Sequence, residues 1–305
     1  MTTTRLRNLQ TRARILQGIR AFFISREYLE VETPHRIPAP APEAHIEAPS
    51  AGEWFLHPSP ELCMKRLLAR GHPRIFQLCR CFREGERGRL HLPEFTLLEW
   101  YATGVDYTYL MAECELLLAE LTRGIGAGAE AVLWRDGVLV DLSPPWPRVT
   151  VAEAFREAAG AEVAEVLAVG EFDLVLVERV EPWLAGLGKP VFLTEYPTAL
   201  GALARCKPGD PSVAERFELY AGGLELANAF SELTDPKEQR RRFAAEAERR
   251  AASGRCGYPS PEPFLRDLEQ LPEAAGIALG VDRLVMLLTG AECVDEVVAF
   301  TPEEL

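Results

Sequence analysis

Residues 93–101, PEFTLLEWY, alternate with a period of two, and that alternation constrains the fold more than any other stretch. Successive side chains of a strand point to opposite faces of its sheet. Thr96, Leu98 and Trp100 form one face, which reads as plain core. Phe95, Leu97, Glu99 and Tyr101 form the other, where rings mixed with a carboxylate suit a pocket floor. Just upstream, FREGERGRLHL crowds Arg and Glu together. It is either a solvated hairpin tip or a clamp for a phosphorylated ligand.

The rest of the chain supplies strands and helices around this one. Over 5–33 a helix precedes a short strand: Ile15, Ile19, Phe22 and Phe23 recur at helical spacing, Leu29 to Val31 are extended, and Pro34 ends the run. Residues 35–52 read as an ordered loop. Ser59-Pro60-Glu61 reads as a helix start, with Ser59 as N-cap, and opens a helix over 61–70. Strands are expected at 75–83 and 94–101, and a helix at 106–123. Patterns from 124 to 190 are weak. Further strands fall at 191–195 and within 216–232, a charged, exposed helix at 236–253, and a strand at 276–280 entering a helix at 282–289 that Gly290 closes. Strands paired in local hairpins, with helices between, predict an antiparallel α+β fold and one domain over 1–305.

Charge and cysteine usage narrow the function. A net charge of -13 disfavours unspecific nucleic-acid binding, which is driven by phosphate neutralisation. One local basic face is possible at Lys65, Arg66, Arg70 and Arg74. No apolar run approaches the ~20 residues that span a bilayer, and the N-terminus lacks a signal peptide's apolar segment. A cytoplasmic location is expected. The seven cysteines include Cys79 and Cys81, one residue apart, but no CxxC spacing. They read as buried or idle thiols.

Two further stretches carry chemistry. In ERFELYAGGLELANAFSEL (215–233), Asn228, Phe230 and Glu232 share strand parity and could hold an amino group and a side chain. Glu218 and Glu225 fall off that pattern; a bulge near Ala227 is one way to bring Glu225 in. Paired acids near phosphates usually mean Mg²⁺. In GIALGVDRLVMLLTG (276–290), a strand runs into a helix with Arg283 in its first turn. A guanidinium there can stack on a base or pair with phosphate. The stretch is neither a P-loop nor GxGxxG.

Arg83 followed by HLPEFTLLEWY resembles motif 2 of the class II aminoacyl-tRNA synthetases, and GIALGVDR resembles motif 3. The helix and strand ending in EVETP resemble motif 1, which builds the dimer interface in that family. The motifs span about 12–34, 75–101 and 276–290. SPELCMKRLL and GGLELANAFSELTDP resemble the lysyl branch. Lysyl-tRNA synthetases carry an anticodon-reading OB-fold before motif 1, and here the helix leading into motif 1 begins near residue 5. The chain therefore resembles the free-standing elongation factor P–lysine ligase family. That resemblance implies a class II catalytic fold, a central antiparallel sheet flanked by helices, in a homodimer. It implies ATP and Mg²⁺ as cofactors, lysine or (R)-β-lysine as small substrate, and elongation factor P as acceptor. It implies neither a membrane nor stable nucleic-acid binding.

The resemblance also distributes roles. Arg83 and Arg283 become the catalytic arginines, Arg83 on the α-phosphate. Phe95 and Arg283 sandwich adenine, and Glu218 and Glu225 hold Mg²⁺. Glu84, Gly85, Glu86, Leu92, Leu226 and Gly280 complete the ATP contacts. Ser59, Pro60, Glu61, Glu99, Tyr101, Asn228, Phe230, Glu232 and Ala278 line the amino-acid pocket. A substrate with two ammonium groups needs several carboxylates; Glu99 and Glu232 are assigned to the side-chain end and Glu61 to the other amine. Ala278 replaces a glycine of lysyl-tRNA synthetases and is shared by the ligase family. One methyl in a tight pocket is worth about 1–3 kcal/mol of discrimination.

Motif 2 departs from the family's Arg-Asn-Glu, reading Arg83-Glu84-Gly85-Glu86, and Leu92 stands where Asn is usual. The adenine contact falls to Glu84, to Glu86 or to the Gly85 backbone. Arg87 and Arg89 face the acceptor, pyrophosphate or water. Two other functions stay open: a truncated core that aminoacylates tRNA or makes a free amide, and a non-catalytic paralogue used for binding or regulation. The acidic charge and the lack of room for an OB-fold weigh against tRNA. Retention of Arg83 and Arg283 weighs against the paralogue. No base for the acceptor amine is identified.

Overall fold

The computed structural model describes residues 2–126, 132–135 and 137–305. Its centre is an eight-stranded sheet. In chain order the strands are β1 (Leu29–Glu30), β2 (Arg74–Phe82), β3 (Glu94–Thr103), β4 (Arg148–Thr150), β5 (Val191–Thr194), β6 (Arg216–Ala221), β7 (Leu224–Ser231) and β8 (Ala274–Gly280). In space they run β1-β2-β3-β8-β7-β6-β5-β4. The six inner strands are antiparallel. The edge pairs β1–β2 and β5–β4 are parallel, so the sheet is mixed rather than purely antiparallel. Each parallel pair is joined by a long connection containing helices, the kind of crossover that parallel register requires. A reading built on hairpins misses both.

The helices that matter here are α1 (Thr3–Ser25), α2 (Glu61–Ala69), α3 (Tyr107–Gly124), α4 (Val151–Ala159), α5 (Pro236–Ala252) and α6 (Val281–Thr289). α1 buries Ile15, Ile19, Phe22 and Phe23 in one core with α3, α6 and one face of the sheet. Leu98 and Trp100 of β3 point into that core. Phe23 stacks on Phe76 with centroids 4.9 Å apart. The Trp100 indole N–H donates to Glu113 (2.8 Å), which satisfies the one polar atom this ring brings inside. The alternation of β3 thus fixes which side the helices cover, and Phe95, Leu97 and Tyr101 look the other way.

The segments read as the three motifs meet at one buried point. Arg12 of α1 donates to Asp282 Oδ1 of α6 (2.6 Å) and to Thr96 Oγ1 of β3 (2.8 Å). Asp282 Oδ2 accepts the Thr96 backbone N–H (2.7 Å). A buried ion pair holds only when hydrogen bonds satisfy its remaining atoms, and here they do.

Two surface expectations fail. α5 was expected to be exposed, yet it turns Gln239, Arg242, Phe243 and Arg250 inward. Arg250 donates to the carbonyls of Glu43 (2.8 Å) and Ile46 (2.6 Å), and Arg242 to those of Gly201 (2.5 Å) and Ala204 (2.7 Å). A guanidinium can enter an interior where carbonyls meet its fan of donors. The result is that α5 anchors two loops over the free face of the sheet. The basic face at 65–74 does not form either, because Lys65 is buried. Among the described residues no helix is long and apolar enough to cross a membrane.

Candidate active site

The sheet face opposite the main core carries a cleft of about 550 Å³. Its floor is built in rows, because directly opposed residues of an antiparallel ladder share a face. Gln77, Glu99, Ala278, Asn228 and Glu218 form one row across five strands. Tyr101, Gly276, Phe230 and Arg216 form the next. The Tyr101 ring lies across Gly276: a Cβ there would come within 2.2 Å of the ring and 2.6 Å of Glu232 Oε1. Only glycine fits that crossing.

Glu218 joins the face of Asn228 by standing opposite it, which parity along a single strand cannot reveal. Glu225 joins through a β-bulge: Leu219 faces Ala227 and Tyr220 faces Glu225, leaving Leu226 as the extra residue. The bulge falls beside Ala227, where it was expected. Without it, period two would turn Glu225 to the core face.

Arg83 and Arg283 line this one cleft. The Arg83 guanidinium lies 5.0 Å from the Phe95 ring centroid and 3.8 Å from Glu86. Its buried Nε–H has no partner among the described residues. An unpaired buried donor costs about 1–3 kcal/mol, which an anionic ligand recovers. Arg283 donates to the Glu225 carbonyl (2.8 Å) and carboxylate (3.2 Å) and meets His91 Nε2. Burial and then Arg283 push the His91 pKa down, which favours a neutral ring. Beside them Glu218 is held by Arg216 (2.5 Å), Tyr196 (2.5 Å) and Tyr220 (2.6 Å). Burial, then repulsion from Glu225 and Glu218, raises the nearby Glu181 pKa to about 7. Crowded carboxylates suit a hard divalent cation. Glu225 fits best, its side chain being 38% exposed; Glu218 would share Oε1 with Arg216.

The end of the cleft around Glu61 and Glu99 is more tightly bonded. Glu99 accepts from Ser59 Oγ (2.6 Å) and from the Tyr101 hydroxyl (2.7 Å). Ser59 Oγ also accepts the Glu61 N–H (3.0 Å), so one hydroxyl holds both the first residue of α2 and a carboxylate, although the N-cap is Pro60, one residue after the expected Ser59. Burial, then Glu61, pushes the Glu99 pKa up to about 8. Lys65 Nζ pairs with Glu232 (2.5 Å) and with Glu61, and sits 4.9 Å from the Phe230 ring centroid. Burial works against the Lys65 charge, but Glu232 and Glu61 more than offset it. Burial raises Glu232 in turn. Glu43, raised to about 7 by burial and then by Glu61, lines the opposite wall.

All but five of the expected site residues line the cleft. Glu84 and Gly85 do not: Glu84 is exposed with its N–H on the Glu47 carbonyl (2.7 Å), and Gly85 turns at φ 76. Glu86 is therefore the motif 2 acid that reaches the cleft. Pro60, Glu99 and Glu232 are buried just behind the wall. Lys65 pairs with Glu232 at Oε2, and Glu232 Oε1 is buried without a hydrogen-bond partner among the described residues. Arg87 and Arg89 do not line the cleft. Arg87 pairs with Glu303 (2.8 Å) and Asp295 (2.9 Å), and Arg89 donates to the Glu292 carbonyl (3.2 Å), so both tie the hairpin to the C-terminal segment. Sequence reasoning placed Lys65 on a basic face rather than in the site, although it stands four residues after Glu61 on a helix, a spacing that pairs such charges. It also overlooked Arg216, His91 and Glu43, which have no local signal.

A sheet of this topology, with one arginine from a hairpin and one from a strand–helix junction over a single cleft, defines a class II synthetase-type catalytic core. The family model for class II tRNA synthetases (D, K and N) matches residues 1–304. More specifically, the chain is similar to proteins called elongation factor P–(R)-β-lysine ligase. That of Proteus mirabilis is 41% identical over 312 residues, covering 96% of this chain and 94% of its own. That of Erwinia tasmaniensis is 42% identical, with the same coverage. That of Vibrio cholerae is 37% identical, covering 98% of this chain and 97% of its own. The chain belongs to this ligase family within the class II synthetases.

Proposed function

We propose that the protein is an ATP-dependent ligase that activates (R)-β-lysine or lysine and transfers it to a lysine side chain of elongation factor P. The single observation that carries the reading is the polarity of one cleft: two arginines at one end, buried carboxylates at the other. The names of the relatives point the same way and do not favour tRNA charging or a non-catalytic role.

In the first step the substrate carboxylate attacks the α-phosphorus of ATP and pyrophosphate leaves. Arg83, with its unpartnered Nε–H, meets the charge that builds there. Phe95 and Arg283 hold the base between them. Mg²⁺, held by Glu225 and Glu218, would offset phosphate charge. At the other end Glu61 and Glu232 share one fixed cation, Lys65, and burial disfavours the charge on Glu99, which a substrate ammonium would bring to its ionised form. In the second step the neutral ε-amine of the acceptor attacks the adenylate carbonyl and AMP leaves. We read the whole chain as one catalytic unit acting in the cytoplasm. A homodimer through residues 12–34 is supported by Ile24 and Leu29, large apolar side chains left exposed.

The test mixes purified protein with ATP, radiolabelled lysine or (R)-β-lysine, and either elongation factor P or tRNA. Label should appear on elongation factor P. Label on tRNA alone would overturn the reading.

A further inference from the structure

Behind the nucleotide floor lie three soft ligands that the proposed reaction does not use. Cys79 and Cys81 sit on β2 with their side chains on the cleft-side face, opposite Leu97 and Phe95. Their Sγ atoms are 3.8 Å apart. His57, in the segment leading to α2, places Nε2 3.9 Å from Cys81 Sγ. The three ligand atoms all lie within 4.8 Å of one another, and all three residues are buried. We propose that His57, Cys79 and Cys81 form a binding site for a thiophilic divalent cation of the zinc type.

The spacing is the first argument. Tetrahedral coordination with Zn–S bonds of about 2.3 Å and Zn–N bonds of about 2.0 Å sets S···S edges near 3.8 Å and S···N edges near 3.5 Å. The observed 3.8 Å and 3.9 Å need only a small closure. Histidine chemistry is the second. Nε2 lies 2.7 Å from the Arg80 carbonyl oxygen, and Nδ1 is buried with no partner among the described residues. The carbonyl can only accept, so in the metal-free protein the Nε2–H donates to it and the buried Nδ1 lone pair is left without a partner among the described residues. Binding through Nε2 displaces that proton and exchanges the hydrogen bond for a bond to the cation. A water supplies the fourth ligand. Two thiolates and an imidazole select a soft or borderline ion over Mg²⁺, so this site is chemically distinct from Glu218 and Glu225. Binding releases the thiol protons and staples β2, two residues before Arg83, to the entry of α2.

Co²⁺ is the probe, added to the reduced, metal-free full-length protein. One equivalent should bind, with thiolate-to-cobalt charge-transfer absorption that Zn²⁺ bleaches. The band should be lost in Cys79→Ser and in Cys81→Ala and retained in Cys293→Ser. X-ray absorption at the zinc edge of the loaded wild-type chain should show two sulfurs at about 2.3 Å. That measurement decides the matter even if a variant fails to fold. Absence of the band, its survival in the Cys79 and Cys81 variants, or a zinc shell without sulfur would overturn the site.

Discussion

The two ends of the cleft solve opposite problems. At the end proposed for the amino acid, Lys65, Glu61, Glu232, Glu99, Ser59 and Tyr101 are linked by ion pairs and hydrogen bonds and largely buried before any ligand arrives. At the end proposed for the nucleotide, Arg83 keeps an unpaired Nε–H, and Glu225 remains part-exposed. The first end is built into the fold; the second waits for its ligand. Selectivity among small cations needs rigid, desolvated acids, whereas a triphosphate carries enough charge to organise its own contacts.

Substitutions on either side should break this contrast in different ways. The largest stability effect is expected from Lys65→Met. It strands Glu232 and Glu61 without their cation and should cost about 3–5 kcal/mol in denaturant unfolding at pH 8. The loss should shrink as pH falls, because protonation relieves the stranded carboxylates. An undiminished loss at pH 5 would mean that packing, not charge, explains it.

Arg83→Ala should do the reverse. The fold makes little use of this guanidinium, so the melting temperature should barely move. Amino-acid-dependent pyrophosphate exchange should fall by about 10²–10³-fold, the usual loss for one transition-state donor. A large drop in stability would show that the nucleotide end is as structural as the other.

Glu99→Gln separates affinity from folding. The folded pKa of Glu99, about 8, stands above its ordinary value, so ionising it costs the free protein stability as pH rises toward 8. The neutral variant should therefore be as stable as the wild type at pH 8, or more so, while KM for the amino acid rises. In the wild type an ammonium ligand needs the ionised carboxylate. Below pH 8 its Kd should climb by up to about tenfold per unit, and the variant should lack that limb. Isothermal titration between pH 6 and 9 reads both.

The smallest effect is expected at Ala278, between Glu99 and Asn228 in the floor. Ala278→Gly should shift the preference between lysine and (R)-β-lysine by about 1–3 kcal/mol or less, seen as a changed ratio of kcat/KM.

Much of the fold was legible because its signals are local. The β2–β3 hairpin, the junction of β8 with α6 and the helix of α1 follow from period and caps. One signal in the weak region went unread: Thr150 to Glu153 is a capping box that starts α4, each residue's side chain accepting the other's backbone N–H. The parallel edge pairs were not legible, since no short window records a crossover. Nor was the inward turn of α5, because an arginine that caps distant carbonyls looks in sequence like one in water.

The sequence by itself determined which side chains share a face within one regular strand, since alternation is a property of the extended backbone. It also determined that Arg83 and Arg283 stand at the ends of elements suited to a ligand. Only the tertiary structure decided which charges are already spent: Lys65 on Glu232, Arg216 on Glu218, the bulge at Leu226 that turns Glu225 round. Those outcomes depend on distance through space and on exclusion of water, and neither quantity is written along the chain.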